Sequence, residues 1–155
     1  GHMRVAGEDA PCRCGGKGCL EAVASLRAIA AQGQKHVART RKPAGSKSSQ
    51  VDGMQVLEAF EQGDALAGKI VRAAFDHLAQ AAGGIINVVN PAVCVLDYRL
   101  GAAGPRVLDA FLDAFERNTL PAHWQALDVR VCSLDAYIGP LGGAADVLDR
   151  CLDTA

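Results

Sequence analysis

Three cysteines stand close together in Cys12-Arg13-Cys14-Gly15-Gly16-Lys17-Gly18-Cys19-Leu20-Glu21. Thiolates bind Zn²⁺ strongly, and the interleaved glycines let the backbone fold tightly enough for three sulfurs to converge. A structural zinc site takes four ligands, and His2, ten residues before Cys12, is the nearest upstream nitrogen. His2, Cys12, Cys14 and Cys19 are therefore the expected ligands of one structural Zn²⁺. Such a Cys₃His set is coordinatively closed, so it holds a loop in shape and does not activate water. The alternatives for the three cysteines are unliganded thiols in a loop or a disulfide between two of them. Gly1-His2-Met3 also matches the remnant of a cleaved purification tag. The ligand spacing favours a native histidine, or one standing where the native residue stood.

The elements that must position these ligands belong to a chain of 155 residues, one domain's worth and enough to bury a core. Half the residues are hydrophobic and the net charge is −1, so no global field draws the chain to nucleic acid or membrane. No apolar run reaches membrane-spanning length and no signal peptide is visible, which predicts a soluble, cytoplasmic protein. The other cysteines, Cys94, Cys132 and Cys151, sit singly in apolar segments and read as buried free thiols in a reducing compartment.

Met3 to Pro11 reads as a short extended or looped lead-in. A helix follows from Cys19 to about Gln32, with Gly33 as its stop and Glu21 in its first turn, where the helix dipole favours a carboxylate. Residues 35–50 carry Lys35, Arg39, Arg41, Lys42 and Lys47 with no acid, around Pro43-Ala44-Gly45-Ser46. A mobile basic connector is expected there. A nucleic-acid arm is the lesser reading, because no aromatics interleave to stack bases. Asp52 caps a helix over Gly53 to Glu61, Gly63 ends it, and Asp64 caps a long helix from Ala65 to Val89 that Pro91 stops. In that helix Gly83-Gly84 admits a close neighbour, and His77 is expected to lie at or near the surface.

Ala92 to Leu96 reads as a strand buried on both faces. A Gly/Ala turn over Leu100 to Pro105 leads to a helix from Arg106 to Asn118. Pro121 to Gln125 is expected as a loop carrying His123 and Trp124, followed by a half-buried strand through Leu127, Val129 and Val131. In the last helix Leu141, Ala144, Ala145, Leu148 and Leu152 are expected to face inward. The order predicts an α/β fold, helices packed on a small sheet.

His2, ten residues on to Cys12-x-Cys14-Gly15-x-x-Gly18-Cys19-Leu20-Glu21, resembles the zinc signature of the ROK family of repressors, open reading frames and sugar kinases. The likeness continues in Gly63-Asp64, in Ile85-Ile86-Asn87-Val88-Val89-Asn90-Pro91 and in Leu141-Gly142-Gly143-Ala144-Ala145. It implies the C-terminal part of an actin-like (ribonuclease H-like), two-lobed sugar kinase fold with a zinc loop. Residues 1–155 are then a single-domain fragment: a zinc loop over 1–21, the basic connector over 35–50 and an α/β core over 52–155. The resemblance also implies that His2 and Glu21 contact sugar hydroxyls, and that the family's catalytic aspartate, first phosphate loop and any DNA-binding domain lie outside this chain. No catalytic residue is expected within it.

Two functions emerge as expectations, beside a blander third, a zinc-stabilised interaction domain with no ligand. One is the effector-sensing domain of a sugar-responsive transcriptional regulator, taking a sugar or sugar phosphate and reaching operator DNA through a separate N-terminal domain, as a homo-oligomer. The other is the C-terminal half of an ATP-dependent sugar kinase of the glucokinase or N-acetyl sugar kinase kind. The discriminating residues are Asp97, Tyr98 and Arg99 at the end of the first strand. Family kinases usually place backbone-only glycines there, where a nucleotide approaches. Side chains would fill that space here, and Asp97 would repel phosphate.

Overall fold

The computed structural model describes residues 1–40, 51–134 and 137–152. The chain order is α1 (Leu20–Ala24), α2 (Leu26–Thr40), α3 (Gly53–Glu61), α4 (Ala65–Val89), β1 (Val93–Leu96), α5 (Tyr98–Ala102), α6 (Pro105–Arg117), α7 (Pro121–Ala126), β2 (Asp128–Val131) and α8 (Ile138–Leu152). This is a mixed α/β chain. The strands pair in parallel, Val93 opposite Asp128 through Leu96 opposite Val131. Parallel pairing needs a crossover, here supplied by α5 to α7.

The long helix α4 is the spine. Asp64 fixes its start by accepting from the amides of Leu66 (2.9 Å) and Ala67 (2.8 Å). Asn90, in the left-handed region at φ 46°, ends it just before Pro91. Helix α6 packs across α4 through Phe75, Phe111 and Phe115, with Phe75 edge-on to Phe111 at 5.3 Å and Trp124 of α7 edge-on to Phe115 at 6.1 Å. The approach is closest at Gly83, where a Cβ would overlap the backbone of Asn118. Gly84 has open space beside it, so only the first glycine of the expected pair serves packing.

Several expectations need correction. The helix after the cysteine loop does not run unbroken to Gln32. It breaks at Ser25, which is extended and whose hydroxyl accepts from the Ala28 amide at 3.1 Å, and then continues past Gly33 to Thr40. Gly33 is a packing glycine: a Cβ there would meet Val56 Cγ2 at 2.7 Å. The first six residues of the basic stretch are thus helical, and the rest of 35–50 lies outside the described residues.

The segments around 100–105 and 121–125 are short helices rather than a turn and a loop. Asp97 caps the first, and Pro121 opens the second with its preset φ. Strand β1 is not buried on both faces: Leu96 is buried and Cys94 half-buried, but Val93 and Val95 are exposed. A strand with one neighbour among the described residues has one face on the helices and one open. The apolar face of α8 is likewise exposed, with Leu148 63% and Leu152 73% accessible. Helical periodicity shows which face favours burial but not what covers it.

Candidate metal centre

The segment carrying His2 folds back on the cysteine loop as a narrow antiparallel ribbon. Val5 N donates to Gly18 O (2.8 Å), Gly18 N to Ala10 O (2.9 Å), Cys12 N to Gly16 O (2.9 Å) and Leu20 N to Met3 O (2.8 Å). Residues two apart point to the same side of such a ribbon, and Gly15 and Gly18, at φ 85° and 68°, turn it tightly. The outcome is convergence of the four residues expected as ligands. One donor atom from each of His2, Cys12, Cys14 and Cys19 lies within 4.8 Å of the others.

The individual distances fit a tetrahedral ion. Cys14 Sγ and Cys19 Sγ are 3.6 Å apart, and Cys12 Sγ is 3.7 Å from His2 Nδ1. Ligands about 2.3 Å from a zinc ion at tetrahedral angles stand about 3.8 Å from one another. The donor set is soft and of the type Zn²⁺ prefers. Nδ1 is the imidazole nitrogen turned to the cysteines, which leaves Nε2 on the other side of the ring. Zinc would be held by these four side chains, and its contribution would be to fix the ribbon.

Burial divides the thiols. Cys19 is buried, Cys12 half-buried and Cys14 exposed. The Gly16 backbone amide, with lesser help from the neighbouring thiols, holds the Cys14 thiol below its usual range. Burial, with the neighbouring thiols adding to it, pushes Cys19 up to about 11.

Two contacts tie the ribbon to the helices. Glu21 N donates to Gly1 O at 2.8 Å, and the Glu21 carboxylate lies against Gly1, whose Cβ, if present, would be 3.5 Å from Glu21 Oε2. The structure thus brings Glu21 next to the residue that precedes His2. The second contact was not legible in the sequence. Glu8 Oε1 is 3.3 Å from His77 Nε2 on α4. His77 Nδ1 is buried with no hydrogen-bond partner among the described residues. No local spacing links residues so far apart in the chain, so only the folded ribbon on α4 reveals the pair. An open depression of about 600 Å³ beside the ribbon is lined by Arg4, Glu8, Asp9 and Lys17 among others, but by neither His2 nor Glu21.

Away from the ribbon, Asp97 and Arg99 pair with each other just past the carboxyl end of β1. Asp97 Oδ1 accepts from Arg99 N (2.9 Å) and Arg99 Nε (2.8 Å), while Oδ2 accepts from Arg99 Nη2 (2.8 Å). The Arg99 guanidinium, donating through its side chain, holds the Asp97 carboxyl below the usual range, and Asp97 raises Arg99 in turn. The guanidinium also lies 6.0 Å from the centre of the Tyr98 ring.

Comparison with known proteins gives a consistent picture. A family model described as "ROK family" matches residues 1–149. A glucokinase of Thermotoga maritima is 31% identical over 97% of this chain and 49% of its own length. The DNA-binding transcriptional repressor Mlc of Escherichia coli is 27% identical over 96% of this chain and 36% of its own. A solved ROK hexokinase from Thermus thermophilus superposes with a TM-score of 0.74 at 27% identity, covering 94% of this chain and 46% of that one. The chain spans about half the length, or less, of these relatives. Among the described residues no helix is long and apolar enough to cross a membrane.

Proposed function

We propose that this chain, which belongs to the ROK family, is the sugar-sensing, C-terminal part of a transcriptional regulator. The relatives include both glucokinases and repressors, so membership alone leaves two functions open. The sugar reading is supported by Glu21 lying beside Gly1 while Nδ1 of His2 turns to the cysteines. A carboxylate accepts from hydroxyls and an imidazole nitrogen accepts or donates, which is what recognition of a polyol requires. Directional pairs of this kind separate sugar epimers, because a misplaced hydroxyl leaves a buried polar group unpaired. Zinc bound by His2, Cys12, Cys14 and Cys19 holds the first of the pair in place. The ligand is a sugar or sugar phosphate, and operator DNA is reached through a domain outside these 155 residues, in a homo-oligomer.

The observation that carries regulator over kinase is the fork between Asp97 and Arg99. A nucleotide at the carboxyl end of a parallel strand is best met by bare backbone amides. Here that position holds a carboxylate, and the neighbouring guanidinium is already engaged by both its oxygens. The second reading, half of an ATP-dependent sugar kinase, is favoured by the 31% identity to the Thermotoga glucokinase. Titrating the full-length parent with ATP and a panel of hexoses and amino sugars decides between them. Sugar-dependent release from operator DNA without phosphorylation is expected. Turnover of any sugar on the order of 1–100 s⁻¹ overturns the regulator reading.

A further inference from the structure

We infer that Cys14 and Cys19 are a peroxide-sensitive thiol pair whose oxidation to a disulfide removes two ligands of the metal centre and loosens the hold on His2 and Glu21. The consequence for ligand binding rests on the sugar reading above; the thiol chemistry does not. The two sulfurs are 3.6 Å apart. A disulfide needs about 2.05 Å, so side-chain rotation and a small pucker of the loop close the gap. The intervening loop suits that pucker, since Gly15 and Gly18 already lie at positive φ and Gly16 sits between them. Cys12 Sγ faces His2 Nδ1 and also neighbours the other two thiols, so what sets the Cys14–Cys19 pair apart is its 3.6 Å separation.

Exposure sets the order of events. Cys14 is open to solvent and Cys19 is buried, so a dissolved hydroperoxide meets Cys14 first. The Cys14 thiolate attacks the peroxide, the O–O bond breaks, and Cys14 becomes a sulfenic acid while the leaving hydroxide takes a proton from solvent and departs as water. Cys19 sulfur then attacks Cys14 sulfur, forming the S–S bond and expelling the sulfenic oxygen as a second water. In sum, two thiolates, two protons from solvent and one hydrogen peroxide give one disulfide and two waters. Only His2 and Cys12 remain as donors, too few for a closed tetrahedral site.

The disturbance has a short path to the sugar-facing pair. Cys19 is bridged to Arg4 on the ribbon, and the next residue, Leu20, is bonded to Met3. Moving Cys19 therefore moves both the segment that carries His2 and the first turn of the helix that carries Glu21.

The test starts from reduced protein of measured zinc content, treated with increasing hydrogen peroxide, then alkylated, digested and mapped by mass. The expected result is one cross-link between the peptides holding Cys14 and Cys19, with zinc released mole for mole to a chromogenic chelator and both changes reversed by reductant plus zinc. Cys12→Ser should still form the cross-link, and Cys14→Ser should not. A Cys12–Cys14 bridge overturns the proposal. So does full alkylation of Cys14 and Cys19 at peroxide doses that have already modified the exposed Cys151. A Cys14–Cys19 bridge formed by peroxide in reduced protein that takes up no added zinc upholds the thiol pair and refutes the metal centre. Sugar titration of the full-length parent separates the rest. Equal affinity in reduced and oxidised protein overturns the coupling to His2 and Glu21, whereas no binding in the reduced parent refutes the sugar reading alone.

Discussion

Gly18→Ala tests whether the ribbon's backbone geometry sets metal affinity. Gly18 sits at φ 68°, and a Cβ there would overlap the carbonyl oxygen of Glu8 and lie 3.1 Å from its carbonyl carbon. A residue with a Cβ costs about 1–2 kcal/mol in the left-handed region. The Glu8 carbonyl must also withdraw by roughly 1.2 Å or more to reach ordinary contact. That shift strains the bonds Gly18 makes to Ala10 and Val5, and losing one costs about 1 kcal/mol more. Metal sites tolerate ligand displacements of only about 0.2 Å, so the strain is drawn from binding energy. The total of about 2–3 kcal/mol corresponds to roughly 30–150-fold weaker zinc binding. Gly15→Ala is the control: its φ of 85° is similar, but nothing lies within 4 Å of the added carbon. It should lose only the conformational part, roughly 5–30-fold. Competition between each metal-free variant and a chromogenic chelator measures both. If Gly18→Ala weakens zinc no more than Gly15→Ala does, the Glu8 carbonyl is not the constraint and the reasoning fails.

Chelating zinc from the purified chain should lower its melting temperature, because metal binding free energy here is also folding free energy; a stoichiometric metal assay that reads zero, or an unchanged melt, refutes the centre. Asp64→Ala removes the acceptor of two α4 amides and should cost about 1–2 kcal/mol, measured by denaturant midpoint at constant slope. Asp97 has a depressed folded value, so its contribution is full above the ordinary carboxylate range near pH 4 and disappears as pH falls through the lower folded value. Its side chain is 42% exposed, so that contribution should stay below about 1 kcal/mol, and the stability gap between wild type and Asp97→Asn should close at low pH in a melting series.

Much of this protein is written in local sequence. Helix α3 starts and stops where Asp52 and Gly63 place it, and α4 runs from its Asp64 cap to Pro91, because capping and proline stops are short-range effects. The convergence of His2 with the three cysteines was legible too: an ion imposes a fixed number of donors at fixed distances, and a tight glycine loop can meet that demand only with closely spaced cysteines. Short helices were less visible. α5 and α7 have too few residues to show a period, although Asp97 and Pro121 mark their starts.

What only the tertiary structure decided is which surfaces meet. Sequence periodicity gives α8 and β1 apolar faces but does not choose their neighbours, and in the described chain Val95, Leu148 and Leu152 remain open. Gly33 looks like a helix stop until Val56 is seen against it. Glu8 and His77 have no sequence relation, yet the folded ribbon sets them 3.3 Å apart. Local sequence fixes conformation through forces that act over a few residues. Contacts between distant segments depend on how the whole chain buries its apolar area, and that is settled only when the elements pack.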